Sequence, residues 1–166
     1  MAGTGIEKDI ATFKAALDTA IEGAMTNEVL DEVKDALQLA IDSEVYGTYQ
    51  PTKYQRRGED MMRGTGALTD PDVMVHSYDV GTHTLTVTDM AKGGDPTRPE
   101  RAEKLLAPII ESGEGYTWGL SRIAREHRPR PFHDVAERMI AVGDRVMSFE
   151  FRLIEGLKNR NFDSFE

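Results

Sequence analysis

His133-Asp134-x-x-Glu137 sets a histidine and a glutamate one helical turn apart, a spacing at which two side chains on one face can hold a divalent metal. A metal-dependent hydrolase using His133 and Glu137 is the one catalytic arrangement this chain offers. No second pair of that kind occurs elsewhere, and a solvated surface pair accounts for the same spacing. His76 and His83 flank a turn, and His127 precedes two prolines. No serine stands in a nucleophile-elbow context, and with no cysteine there is no thiol nucleophile. Asp70-Pro71-Asp72 is a turn carrying two carboxylates without a partner base. Gly64-x-Gly66 lacks the lysine of a phosphate loop and precedes a strand, where those motifs follow one. The expectation is a protein that is not an enzyme, with no catalytic, cofactor-binding or metal-ligating residues.

The residues that stand out instead are of the kind that make contacts. Between Ile109 and Ile140 the chain holds Tyr116 and Trp118, its single tryptophan, among glycines, then Arg122, Arg125, Arg128 and Arg130. Earlier, Tyr46, Tyr49, Tyr54, Arg56 and Arg57 surround Pro51. Tyr, Trp and Arg are the types enriched where proteins bury surface against each other. These eleven residues form the expected subunit or partner interface. Stacking on single-stranded nucleic acid is the competing use of the same types.

The elements that must position them can be read from periodicity. Ile6, Ile10, Phe13, Leu17 and Ile21 make one helical stripe, with Thr4 and Glu7 in capping-box spacing. Gly23 marks an end, and Thr26 or Asn27 starts a second helix bearing Leu30, Val33, Leu37, Ile41 and Val45. The short turn between them predicts an antiparallel helical hairpin over 1–45 whose stripes are core. Residues 46–72 read as an irregular loop. Residues 73–90 alternate around Gly81-Thr82 as a β-hairpin with its apolar face on the helices. Residues 91–99 read as a flexible loop, and 99–112 as a short helix kinked or frayed at Pro108 and ended by Gly113. A docking loop spans 113–131, and Pro131 leads into a long helix over 132–158 that Gly143 can bend. Asn159 to Glu166 reads as a frayed or partner-ordered tail, in which Phe162 and Phe165 are poor candidates for solvent exposure. The fold class is α+β: an N-terminal helical hairpin and a long C-terminal helix packed on a small antiparallel sheet, in one domain over 1–166.

Totals narrow the function. The chain has 166 residues, 39% hydrophobic and 30% charged, as an ordinary globular domain does. No apolar run is long enough to cross a bilayer, and the first residues lack the basic and apolar regions of a signal peptide. Absence of cysteine fits synthesis in a reducing compartment. The formal net charge of −9 argues against gripping nucleic acid along its backbone. Residues 1–50 hold three lysines against ten acidic residues, while the basic cluster lies at 122–130. A subunit polarised in this way can pack head-to-tail into a ring. The alternative is an acidic, solvated helix face plus an incidental basic loop.

Thr65-Gly66-Ala67-Leu68, Ile110-Glu111-Ser112-Gly113 and Arg130-Pro131-Phe132, in that order and separation, resemble the neck and tail-completion proteins of long-tailed bacteriophages and prophages. The stretch from Val45-Tyr46 to Tyr54-Gln55-Arg56-Arg57 is similar to prophage versions, and the resemblance spans roughly residues 10–157. It implies a structural virion protein made in the bacterial cytoplasm. The protein would form a ring, commonly sixfold, at the head–tail junction, with the head connector and tail tube as neighbours. DNA would only pass through the lumen, without sequence-specific binding, and no cofactor or membrane is implied. Acidic residues lining such a lumen would repel phosphate; the same acids also serve solubility before assembly. Two other readings stay open: a non-enzymatic adaptor taking a peptide or helix through Tyr116 and Trp118, and the hydrolase above.

Overall fold

A computed structural model of the protein describes residues 5–47, 66–93, 104–114 and 128–162. The first of these segments is one uninterrupted helical path. Helix α1 (Gly5–Ala24) passes through a widened π-type stretch (Met25–Val29) into α2 (Leu30–Ile41), which ends in a second such stretch (Asp42–Tyr46). The residues at each junction, Ala24, Val29, Leu30 and Ile41, all keep right-handed helical dihedrals. The expected hairpin is therefore absent, and the sequence signals for a turn have other uses. Thr26 donates its hydroxyl to the Glu22 carbonyl at 2.8 Å and Asn27 donates its amide to the Gly23 carbonyl at 2.6 Å. Each side chain thus occupies a carbonyl four residues back, and the ladder slips to the fifth: Leu30 N–H reaches the Met25 carbonyl. Both residues widen the helix where a capping role was expected.

The β-hairpin pairs β1 (Met74–Asp79) with β2 (Thr84–Asp89), antiparallel, with Met74 opposite Asp89 and Asp79 opposite Thr84. Asp79 Oδ1 accepts from the Gly81 and Thr82 N–H groups and closes the turn, and His83 takes a left-handed φ of 52°. At the root of the hairpin Met74 and Val87 face the helical core, as alternation predicts. At its tip the Tyr78 hydroxyl meets His83 Nδ1 at 2.8 Å, and His83 Nε2 lies 3.7 Å from Asp18 on α1. Burial, then the acidic neighbours Glu22, Asp18 and Asp79, raise the Tyr78 phenol above its usual range.

Lys92–Gly93 (β3) and Lys104–Leu105 (β4) form a second, minimal antiparallel pair, so the predicted loop at 91–99 begins as a strand. Helix α3 (Leu106–Ser112) follows directly and ends at Gly113, whose φ of 73° is the left-handed cap expected of it. Because α3 starts at Leu106, Pro108 falls in the first turn, where its missing N–H has no helical partner to lose.

The expected long C-terminal helix is two helices, α4 (Phe132–Val142) and α5 (Phe149–Lys158). Gly143 turns left-handed at φ 73°, accepting no further helical turn, and Ser148 caps α5 by accepting from the Phe151 N–H at 3.2 Å. The break lets one connection serve two faces: α4 packs along α2, and α5 runs back along α1 and the first π stretch. The core joins Leu37 and Ile41 of α2, Leu68, Met74, Ile110 and Phe132. The architecture is α+β, as expected from the sequence.

Candidate subunit interface

Three short motifs spread over the sequence meet in space. Thr69 and Asp70, directly after Gly66-Ala67-Leu68, are buried, and the turn is tied to α2 by Gln38, which donates to the Thr69 carbonyl at 2.8 Å. Lys34 donates to the Pro71 carbonyl at 2.9 Å. Within the turn, Asp70 accepts from the Gly66 and Asp72 N–H groups. The Arg130 N–H donates to the Ile110 carbonyl at 3.1 Å, and the His133 N–H to Glu111 Oε1 at 2.8 Å. Leu68, Ile110 and Phe132 belong to one apolar cluster. The motifs are thus the joints that hold turn, α3 and α4 together, a reason for them to occur as a set.

Gly113 caps α3, and the Arg130 N–H ties the start of α4 back to Ile110 of α3. Tyr116, Trp118, Arg122 and Arg125 lie between these anchors, and Tyr49, Tyr54, Arg56 and Arg57 between 47 and 66; all eight are outside the described residues. Of the remaining three, Arg128 is exposed and Tyr46 is half-buried against the core. Arg130 is only 7% exposed, and its Nη1 has no hydrogen-bond partner. Its place is inside the subunit, because its backbone is pinned to Ile110 and its neighbour Phe132 is drawn into the core.

His133 does not pair with Glu137, which is exposed. Its Nδ1 stands 2.8 Å from Glu111 Oε1, and its ring lies against Phe132 at 4.4 Å between centroids. Among the described residues no group of three or more His, Asp or Glu side chains gathers as a metal site. Close to His133 lies Asp89, 2% exposed, at the end of β2. Its Oδ1 accepts from the Ala91 N–H at 2.7 Å while Oδ2 is buried without a partner. Burial pushes this carboxyl up to about 6, with Asp70 adding to the rise and the Ala91 N–H and His133 opposing it.

The charges that fasten the C-terminal helix were not foreseen. Glu32 of α2 is 5% exposed; it accepts from the Met147 N–H at 2.6 Å and from Arg152 Nε, while Arg152 Nη1 also reaches Glu155 at 2.7 Å. One turn back, Glu28 accepts from Arg160 Nη1 at 3.0 and 2.9 Å through its two oxygens, and from Asn159. Burial pushes the Glu28 carboxyl up, but the donors from Arg160 and Asn159 outweigh it and leave it below its usual value. Arg160 Nη2 continues to the Gly23 carbonyl at 2.7 Å, and a Cβ at Gly23 would meet that guanidinium. Gly23 serves this close approach; it does not end the helix. Glu28 and Glu32, four apart on one face, were the available sequence signal, but nothing in the chain says which arginines answer them.

A family model described as YomN matches residues 9–158 of this chain. The name is one of Bacillus phage and prophage derivation. No curated protein and no solved structure matches the chain.

Proposed function

This chain belongs to the YomN family and is phage-related, and from that premise we propose that it is a structural protein of the virion, working in the neck between head and tail. Copies form a ring, sixfold in the simplest arrangement, which joins the head connector to the tail tube and passes DNA through its lumen without reading its sequence. The protein is not an enzyme and carries no cofactor. The observation that carries the reading is the family match over nearly the whole chain, within which the three motifs of the head–tail joining proteins occur in order. The geometry supports it further: α3 and α4 hold both ends of the stretch bearing Tyr116, Trp118, Arg122 and Arg125, and exposed Arg128 stands at one of those ends.

The test is an electron micrograph of phage particles produced without this protein. Separate full heads and finished tails are expected. Normally joined virions, or tails absent altogether, would overturn the neck assignment.

A further inference from the structure

At the start of α1 the stripe predicted to be core is open: Ile6, Ile10 and Phe13 stand 72, 63 and 57% exposed. The converse occurs inside the fold, where a carboxyl is buried without a counter-ion. Asp89 ends β2 opposite Met74 and is 2% exposed. Its Oδ1 holds the Ala91 N–H across a two-residue corner, and its Oδ2 is buried with no hydrogen-bond partner. A negative charge on that oxygen would be stripped of water and given no donor in exchange, so burial favours the protonated form.

The groups around Asp89 offer little relief. From the turn, Asp70 faces it, a second carboxyl, buried and committed to the Gly66 and Asp72 N–H groups. From α4, His133 faces it, but that ring is engaged with Glu111 of α3 at 2.8 Å. On α2, Gln38 and Lys34 are spent on the Thr69 and Pro71 carbonyls. Lys92 and Lys104 of the β3–β4 pair are exposed.

Among the described residues, few fastenings join this corner to α3. On one side stand the six paired positions of β1 and β2, extended by the Met90 N–H on the Val73 carbonyl. On the other, Ala107 and Ile110 tie α3 into the core. Between them lie the bond from the Leu106 N–H to the Ala91 carbonyl, at 2.8 Å, and the two residue pairs of β3 and β4. Parting these contacts brings Asp89 to water while the hairpin and the helices keep their own.

We propose that Asp89 is a proton-operated catch: with Oδ2 protonated the Asp89–Ala91 corner stays closed on α3, and loss of that proton lets the corner open by itself, parting β3 from β4 and Ala91 from Leu106. The opening is local and uncovers Ala91 and Ala107, which are 1 and 4% exposed in the closed form. Asp70 adds to the push, as a second carboxyl beside the first. The catch holds in acid and yields toward neutrality, the reverse of a joint made by a carboxylate with a cation. It stands whether or not the protein works in a phage neck.

The test is hydrogen exchange of the full chain, followed amide by amide from pH 4 to 8 and corrected for the intrinsic effect of pH. A carboxyl at about 6 in the closed corner and at the ordinary 3.8 in the open one should raise the open population about 50-fold between pH 4 and 7, levelling off beyond. The Ala91 and Leu106 amides should lose protection by that factor. At pH 7 they should exchange faster than the Ile41 amide in the core of α2, and with little dependence on low urea, as a small opening does. Asp89→Asn should keep both amides protected across the range. Equal protection and equal urea dependence at Ala91, Leu106 and Ile41 would place the opening in global unfolding and overturn the proposal. A wild-type chain without the pH response, or a response that persists in Asp89→Asn, would also overturn it. The wild-type comparison decides by itself if Asp89→Asn does not fold.

Discussion

Gly156 of α5 rests directly on Ala24 of α1: a Cβ built on the glycine would stand 2.6 Å from the alanine Cβ and 2.9 Å from its Cα. No side chain fits between these two backbones. Gly156→Val should therefore push α5 off its seat, costing about 3 kcal/mol or more, with a matching drop in the denaturant midpoint. Unchanged stability would show that α5 can slide to accommodate it.

Removing the acceptor beneath the same helix should be comparably costly. In Glu32→Ala the Met147 N–H and the Arg152 guanidinium both lose their partner on α2. A loss of about 2–4 kcal/mol is expected for breaking such a buried charged contact from one side. Denaturant unfolding of the single and double variants with Arg152→Met would separate the pair from its surroundings, since the double variant should be less destabilised than the sum.

Asp89 gives stability an unusual pH dependence. Its folded value of about 6 lies above the ordinary 3.8, so the folded state holds a proton that the unfolded chain releases between those values. Stability should fall as pH rises from 4 through 6, by at most about 3 kcal/mol. Glu28 has the opposite sign: depressed in the fold, its contribution is lost only as pH falls below the ordinary carboxylate range. A stability maximum at about pH 4 to 4.5 is expected, where the two opposing slopes meet, and Asp89→Asn should flatten the alkaline side of it. Denaturation curves across pH 3.5–8 decide the matter; a profile unaffected by the substitution would remove Asp89 as its source.

Arg128 and Arg130 should behave differently despite being two residues apart. Arg128→Ala, at an exposed position, should change stability by less than about 0.5 kcal/mol. Arg130→Ala removes a buried stem next to Phe132 and should lower the melting temperature by several degrees. If Arg128→Ala nevertheless blocks head–tail joining, the loss belongs to an interface; if both variants melt alike, the burial assigned to Arg130 has no energetic weight.

Local signals survived where the structure that decides them is also local. The 74–89 hairpin was legible because alternation and a turn suffice to specify it, and Gly113 because a left-handed cap needs only a glycine at the right place. Gly23 and Gly156 were not legible in the same way. A glycine in a helical pattern reads as an ending, as Gly23 does, yet Gly23 and Gly156 both mark places where another part of the chain comes close, and that part is more than a hundred residues away. Thr26 and Asn27 mislead for a related reason: residues that cap a helix can also bond backward within one. The apolar stripe at Ile6, Ile10 and Phe13 had the period of core, but period reports only that a face wants cover. It does not say whose. Residue type alone points to an interface at 116–125 and 49–57, and type does not fix burial: Arg130 lies inside, beside Phe132.

The unbroken helical path from Gly5 to Tyr46 has a mechanical consequence. It is a stiff beam about 60 Å long, gripped by α5 near its middle and by α4 and the Asp70 turn along its far half. The first π-type stretch is where its backbone ladder is loosest, and α5 seats there, so the clasp through Glu28 and Glu32 braces the beam where it would most readily bend.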